Sequence, residues 1–128
     1  MVVAMLRAEL ETVRHRLLHL HKVIVDAERA DVERLEGRLT GHQFLDRLLH
    51  DPQFAWLKPL SALIVAMDQW LDDPEPTDAT ELADELRRLL VPAADGDAFQ
   101  RRYADLLQLH PAIILAHAAV RAALPHRP

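Results

Sequence analysis

A chain of 128 residues, half of them apolar and 27% charged, is one domain over residues 1–128 with enough apolar mass to bury a core. A net charge of −5 argues against a nucleic-acid-binding domain, since neutralising phosphates needs a basic face. The absence of cysteine excludes disulfides, thiolate metal sites and thiol nucleophiles, and fits a reducing compartment.

The first helical pattern is the longest. Leu6, Leu10, Val13, Leu17, Leu20, Ile24 and Ala27 recur in alternating steps of four and three, a heptad-like seam along one face. Glu9, Glu11, Arg14, Arg16 and Asp26 solvate the other side. The seam fails at Asp31 and Arg34 and resumes out of phase at Val32, Leu35 and Leu39. The pattern predicts a helix from about Val3 to Glu36, ended by Gly37 in a left-handed conformation.

Thr40 and Gln43 form the S/T-x-x-E/Q pattern of a capping box. It opens a short helix to His50 whose predicted buried face is Phe44, Leu45, Leu48 and Leu49. Asp51 and Pro52 restart the chain as cap and first helical residue. Pro59 disfavours the helical conformation at Lys58, so the helix kinks or begins anew before running on to Asp72. Leu60, Leu63, Ile64, Met67, Trp70 and Leu71 then form a broad apolar stripe, expected to be the centre of the core.

The acidic, proline-punctuated segment 72–77 is a loop. Asp78 with Glu81 suggests a second capping box for a helix over Ala79–Val91, with Leu82, Leu86, Leu89 and Leu90 inward. Asp97 then caps a long final helix to about Leu124, bent at Pro111. The expected architecture is all-α: an antiparallel up-down-up-down four-helix bundle, its second helix broken at Pro52 and Pro59 and its last bent at Pro111.

No membrane span is expected. The longest uncharged run, Leu106–Val120, is interrupted by Gln108, His110, Pro111 and His117, short of the ~20 apolar residues a span needs. The N-terminal MVVAML lacks the basic and apolar regions of a signal peptide. The expectation is a soluble, cytoplasmic protein without nucleic-acid or membrane partners.

Eight histidines make metal and haem sites the first constellations to test. No acidic residue is followed three positions later by histidine, which excludes the Glu-x-x-His pattern of di-iron bundles. His15 and His19 follow Glu11 at helical spacing, and His42 and His50 flank Asp46 in the same way, so each set shares one helix face suited to a metal. Both faces point away from the apolar stripes, which favours solvated residues over ligands. His110 and His117 instead fall on the inward series Tyr103, Leu106, His110, Ile113, His117, Val120, Leu124. They are either buried, hydrogen-bonded imidazoles, a pH-responsive interface, or ligands of a metal or haem with Met67 as a soft partner.

Nothing supports nucleophilic catalysis. The single serine, Ser61, sits mid-helix where back-bonding to its own helix is expected. Gly37, Gly41 and Gly96 are explained by turns and caps, leaving no phosphate loop. Arg87, Arg88, Arg101 and Arg102 are expected to balance Asp84, Glu85, Asp97 and Asp105 rather than bind an anion.

The pattern therefore points to a non-enzymatic bundle that needs no cofactor. It would self-associate, as a dimer, or bind a protein partner through surplus apolar helix surface. Phe54, Trp56 and Leu57, a knuckle between Pro52 and Pro59, are the expected interaction surface, and its junction with His110 and His117 the place to look first. A histidine-ligated metal or haem bundle is the alternative. A small-ligand pocket at the Pro59 and Pro111 breaks is a third.

Overall fold

The computed structural model describes residues 7–76 and 78–125. The predicted helix start at Val3, Leu6 of the seam and Thr77 of the acidic loop lie outside them. The described residues are all-helical: α1 (Arg7–Glu36), α2 (Gly41–His50), a 3-10 turn (Pro52–Leu57), α3 (Lys58–Asp72), α4 (Thr80–Leu89), α5 (Ala98–Leu109) and α6 (Pro111–Ala123). The all-α class stands, but the expected four segments are six helices and a 3-10 turn.

The seam of α1 drifts. Its buried residues are Leu10, Val13, Leu17, Leu20, Ile24, Glu28 and Val32. After Leu20 every step is four, because a straight α-helix of 3.6 residues per turn slides off a 3.5-residue repeat over thirty residues. The inward line therefore passes through Glu28 and not the expected Ala27. Gly37 ends the helix at φ +89°, a conformation that glycine adopts without a Cβ clash.

α3 lies antiparallel to α1. Arg14 pairs with Asp68 and His21 meets Ser61, so numbers rise on one helix as they fall on the other. At the far end Arg7 donates to the Leu71 carbonyl (2.6 Å) and lies over the Trp70 ring, capping the C-terminus of α3 with a cation. α6 is the helix packed most extensively on α1, through Ile113, the small Ala116 and Val120. α1, α3, α4, α5 and α6 enclose the main core, which includes Leu17, Leu60, Met67, Leu86, Tyr103 and Ile113. A second, smaller core of Val32, Phe44 and Phe54 closes the other end, its two phenylalanines edge to face at 5.8 Å.

Caps follow local chemistry with one exception. The Thr40–Gln43 box is made in both directions, and Asp51 accepts from the Gln53 N–H ahead of the 3-10 turn. Asp97 also closes a full capping box, with Gln100. The box expected from Asp78 and Glu81 does not form. The Asp78 carboxylate instead takes the Thr80 N–H (3.0 Å) and hydroxyl (2.7 Å), and the helix opens one residue late with Ala79 at its cap.

Three of the prolines open helices. Pro52 begins the 3-10 turn and Pro59 stands in the first turn of α3. The bend expected at Pro111 is a corner: His110 is extended (φ −128°, ψ 102°) and the chain turns by 119° between α5 and α6. A residue before proline is pushed out of the helical region. Here His110 obeys, and its carbonyl then accepts from the Ile113 and Ile114 N–H groups to start α6. Among the described residues, no single helix is long and apolar enough to cross a membrane.

Candidate functional site

The expected interaction knuckle faces inward. Phe54 belongs to the small core and Leu57 to the main one, both buried, while Trp56 is half-buried against the main core. The reason is the 3-10 turn between the prolines. Its three residues per turn place Phe54 and Leu57 on the same side, toward the two cores they bridge. α2 departs from expectation in the opposite sense: Phe44 is buried and Leu48 half-buried, but Leu45 and Leu49 are exposed. This short helix covers only the end of α1 and needs one aromatic to do so.

The surface histidines stay apart. His15, His19, His42 and His50 are all exposed, and His50 is satisfied by Asp46 at 3.2 Å. Among the described residues no three His, Asp or Glu side chains come together as a metal site. Met67 is fully buried in the main core.

His110 and His117 part company at the corner. His110 is the half-buried extended residue between the helices. His117, also half-buried, places Nδ1 2.7 Å from the hydroxyl oxygen of fully buried Tyr103. Burial, with Arg121 adding to it, lowers the His117 pKa and so favours the neutral ring; in the tautomer with its proton on Nε2, Nδ1 accepts the phenol proton. Burial also raises the Tyr103 pKa, which keeps that proton on the phenol. The pair closes a column of rings: Trp56 to Phe99 at 5.7 Å, Phe99 to Tyr103 at 5.4 Å, Tyr103 to His117 at 5.5 Å. The column links the 3-10 turn, α5 and α6 into one packed unit.

Two polar contacts join helices distant in sequence. Ser61 does not make the expected back-bond to its own helix: its hydroxyl lies 3.1 Å from His21 Nε2, and burial lowers the His21 pKa. A neutral imidazole beside a hydroxyl is half of a nucleophilic site. Both residues sit within helices whose backbone N–H groups are already used, so no oxyanion donors converge there. The contact ties α1 to α3. Glu28, 3% exposed, is held by Arg102 at 2.6 Å from α5. Arg102 thus pairs with α1 and not, as the sequence suggests, with acids near it in the chain. The signal available in the sequence was the 3.6-residue drift of the α1 seam, which delivers an acid to an inward position.

Arg87 and Arg88 behave as expected, Arg87 pairing with Asp84 and Arg88 with Glu85 and Asp97, whereas Arg101 pairs with neither Asp97 nor Asp105.

The surplus apolar surface lies on α6. Its inner face is buried on α1, yet Ile114 and Leu115 remain 48% and 73% exposed, and Leu109 just before the corner 67%. Pro111, Ala112, Ala118 and Ala122 are exposed beside them, and Arg121 is the one charge on the helix. Leu18, Leu35, Leu45, Leu49, Val65 and Val91 are also exposed, spread over α1, α2, α3 and the residues just after α4.

No protein-family model, no curated protein and no solved structure matches the chain.

Proposed function

We propose that this protein is a non-enzymatic association module that pairs with a second copy of itself through the outer face of α6 and the corner before it. The observation that carries this reading is a helix apolar on most of its surface, with Arg121 its one charge and its outer residues Ile114 and Leu115 uncovered. Burying such side chains is worth about 25 cal/mol per Å², and a patch of this kind on a folded domain marks a contact surface.

A second copy suits the face because a two-fold contact sets the same patch against itself. An almost uncharged stripe does so without like-charge repulsion, and antiparallel pairing sends the two Arg121 side chains to opposite ends. The expected strength follows from size. A helix of 13 residues is about 20 Å long at 1.5 Å per residue. Its face is smaller than the ~800 Å² per partner of a standard interface, so the dimer belongs to the weak class.

Sedimentation across about 10–500 µM, the range that a small interface requires, tests this. The expected result is a monomer–dimer equilibrium that Leu115→Glu abolishes while the thermal melt is unchanged. A strict monomer at the highest concentration, or a dimer indifferent to Leu115→Glu, overturns it.

A further inference from the structure

A second feature, independent of the α6 face, lies where the 3-10 turn meets the start of α5. An open cleft of about 450 Å³ is lined there by Trp56, Gln53, Glu28, Arg101, Arg102 and Asp105. That volume is within the ~300–1,000 Å³ typical of small-ligand sites. We propose that this cleft binds a small zwitterion carrying an apolar or aromatic side chain, a free α-amino acid.

The argument is one of unmet charge. Glu28 gives one oxygen to Arg102. Its other oxygen makes no hydrogen bond, and Glu28 lines the cleft. Arg101 and Asp105 stand one turn apart on α5 and both line the cleft. Among the described residues neither has an ion pair or a side-chain hydrogen bond, with each other or with anything else. Such an i,i+4 pair ordinarily joins across the helix surface. Left apart, the two offer one cationic and one anionic anchor on the same wall.

A simple anion in this space meets the oxygens of Glu28 and Asp105, and a simple cation meets Arg101 and Arg102. A zwitterion satisfies both. Its carboxylate lies on Arg101, where the fork of N–H donors suits two oxygens, and its ammonium group lies between Asp105 and the free oxygen of Glu28. The Trp56 indole, backed by Phe99 at 5.7 Å, supplies a flat apolar wall for the side chain.

The test is a ¹H–¹⁵N titration of the full chain with phenylalanine, leucine, N-acetyl-phenylalanine and phenylalaninamide, each to about 10 mM, a range suited to an open cleft. Saturable shifts are expected at the Trp56 indole N–H and in the first two turns of α5 for the two free amino acids. The acetylated compound lacks the ammonium group and the amide lacks the carboxylate, so both bind about tenfold more weakly. Arg101→Gln removes the advantage of phenylalanine over the amide, and Asp105→Asn its advantage over the acetylated form. Neither residue holds a structural contact, so both variants fold. No saturable shift with either amino acid, or equal binding of all four compounds, overturns the proposal.

Discussion

Two prolines seven and fifty-nine residues past Pro52 meet the same rule with opposite results. Lys58, before Pro59, stays helical at φ −54° and ψ −41°, whereas His110, before Pro111, is extended and the chain turns by 119°. The difference lies in what precedes each proline. Before Pro59 the chain is a 3-10 turn whose tighter bonds run to the third residue back, as from the Lys58 N–H to the Ala55 carbonyl. Phe54 and Leu57 pin that turn to both cores, and the packing overrides the local preference. Before Pro111 stands a regular α-helix ending in exposed Gln108 and Leu109, with nothing to hold His110 in line. The lesson is that proline sets a bias of modest size and the buried side chains around it decide the outcome.

The comparison can be broken most forcefully at its anchor. Phe54→Ala empties the small core at the first junction and should cost about 3–5 kcal/mol in a denaturant melt, the usual range for a buried aromatic. Ile113→Ala, the buried residue just after the corner, should cost about 2–4 kcal/mol. If the order is reversed, the first junction is not held by Phe54.

Next in size is the Glu28–Arg102 bond, which fixes α5 ahead of the corner. Arg102→Met leaves a buried carboxylate alone. A fully buried pair broken in this way loses about 3–5 kcal/mol, and Arg102 is one-third exposed, so about 2–3 kcal/mol is expected. Glu28→Gln together with Arg102→Met should recover most of it, because the unpaired charge is gone.

The contact that folds α6 back on α5 is smaller. His117→Ala strands the buried Tyr103 hydroxyl and should cost about 1–3 kcal/mol. It also alters the pH response. The pKa of His117 is lowered in the fold by burial and by Arg121, and that of His21 by burial. The unfolded chain then binds more protons than the folded one below the ordinary imidazole value of about 6.5. The stability these neutral rings contribute is whole above that pH. It is lost as pH falls from there through the lowered folded values. The melting temperature should therefore drop between pH 7 and 5, with a shallower slope in the double variant His21→Gln, His117→Gln.

The smallest effects test the prolines themselves. Pro59→Ala and Pro111→Ala each loosen the unfolded chain and should cost about 0.4–1 kcal/mol. If packing rules the first junction, Pro59→Ala leaves the helical signal in circular dichroism unchanged. Pro111→Ala frees His110 to adopt helical angles and should raise it.

Much of this molecule was legible beforehand because it depends on neighbours in the chain. The all-helical class, the inward faces of α1 and α3, the left-handed Gly37 and the Thr40, Asp51 and Asp97 caps each arise from residues within a few positions of one another. The sequence also carried the surplus of apolar surface, since the final segment has more apolar positions than one buried stripe can use.

Tertiary structure decided the rest, because hydrophobic burial has no direction of its own and a helix face is inward only where something covers it. A knuckle of Phe54 and Leu57 reads as exposed until two cores are found on either side of it, and Leu45 and Leu49 read as buried until nothing is found above them. The drift that carries Glu28 inward requires a partner 74 residues away, and the turn at His110 requires α1 to receive α6. Those long-range contacts set which histidine meets Tyr103, and they leave Ile114 and Leu115 facing outward.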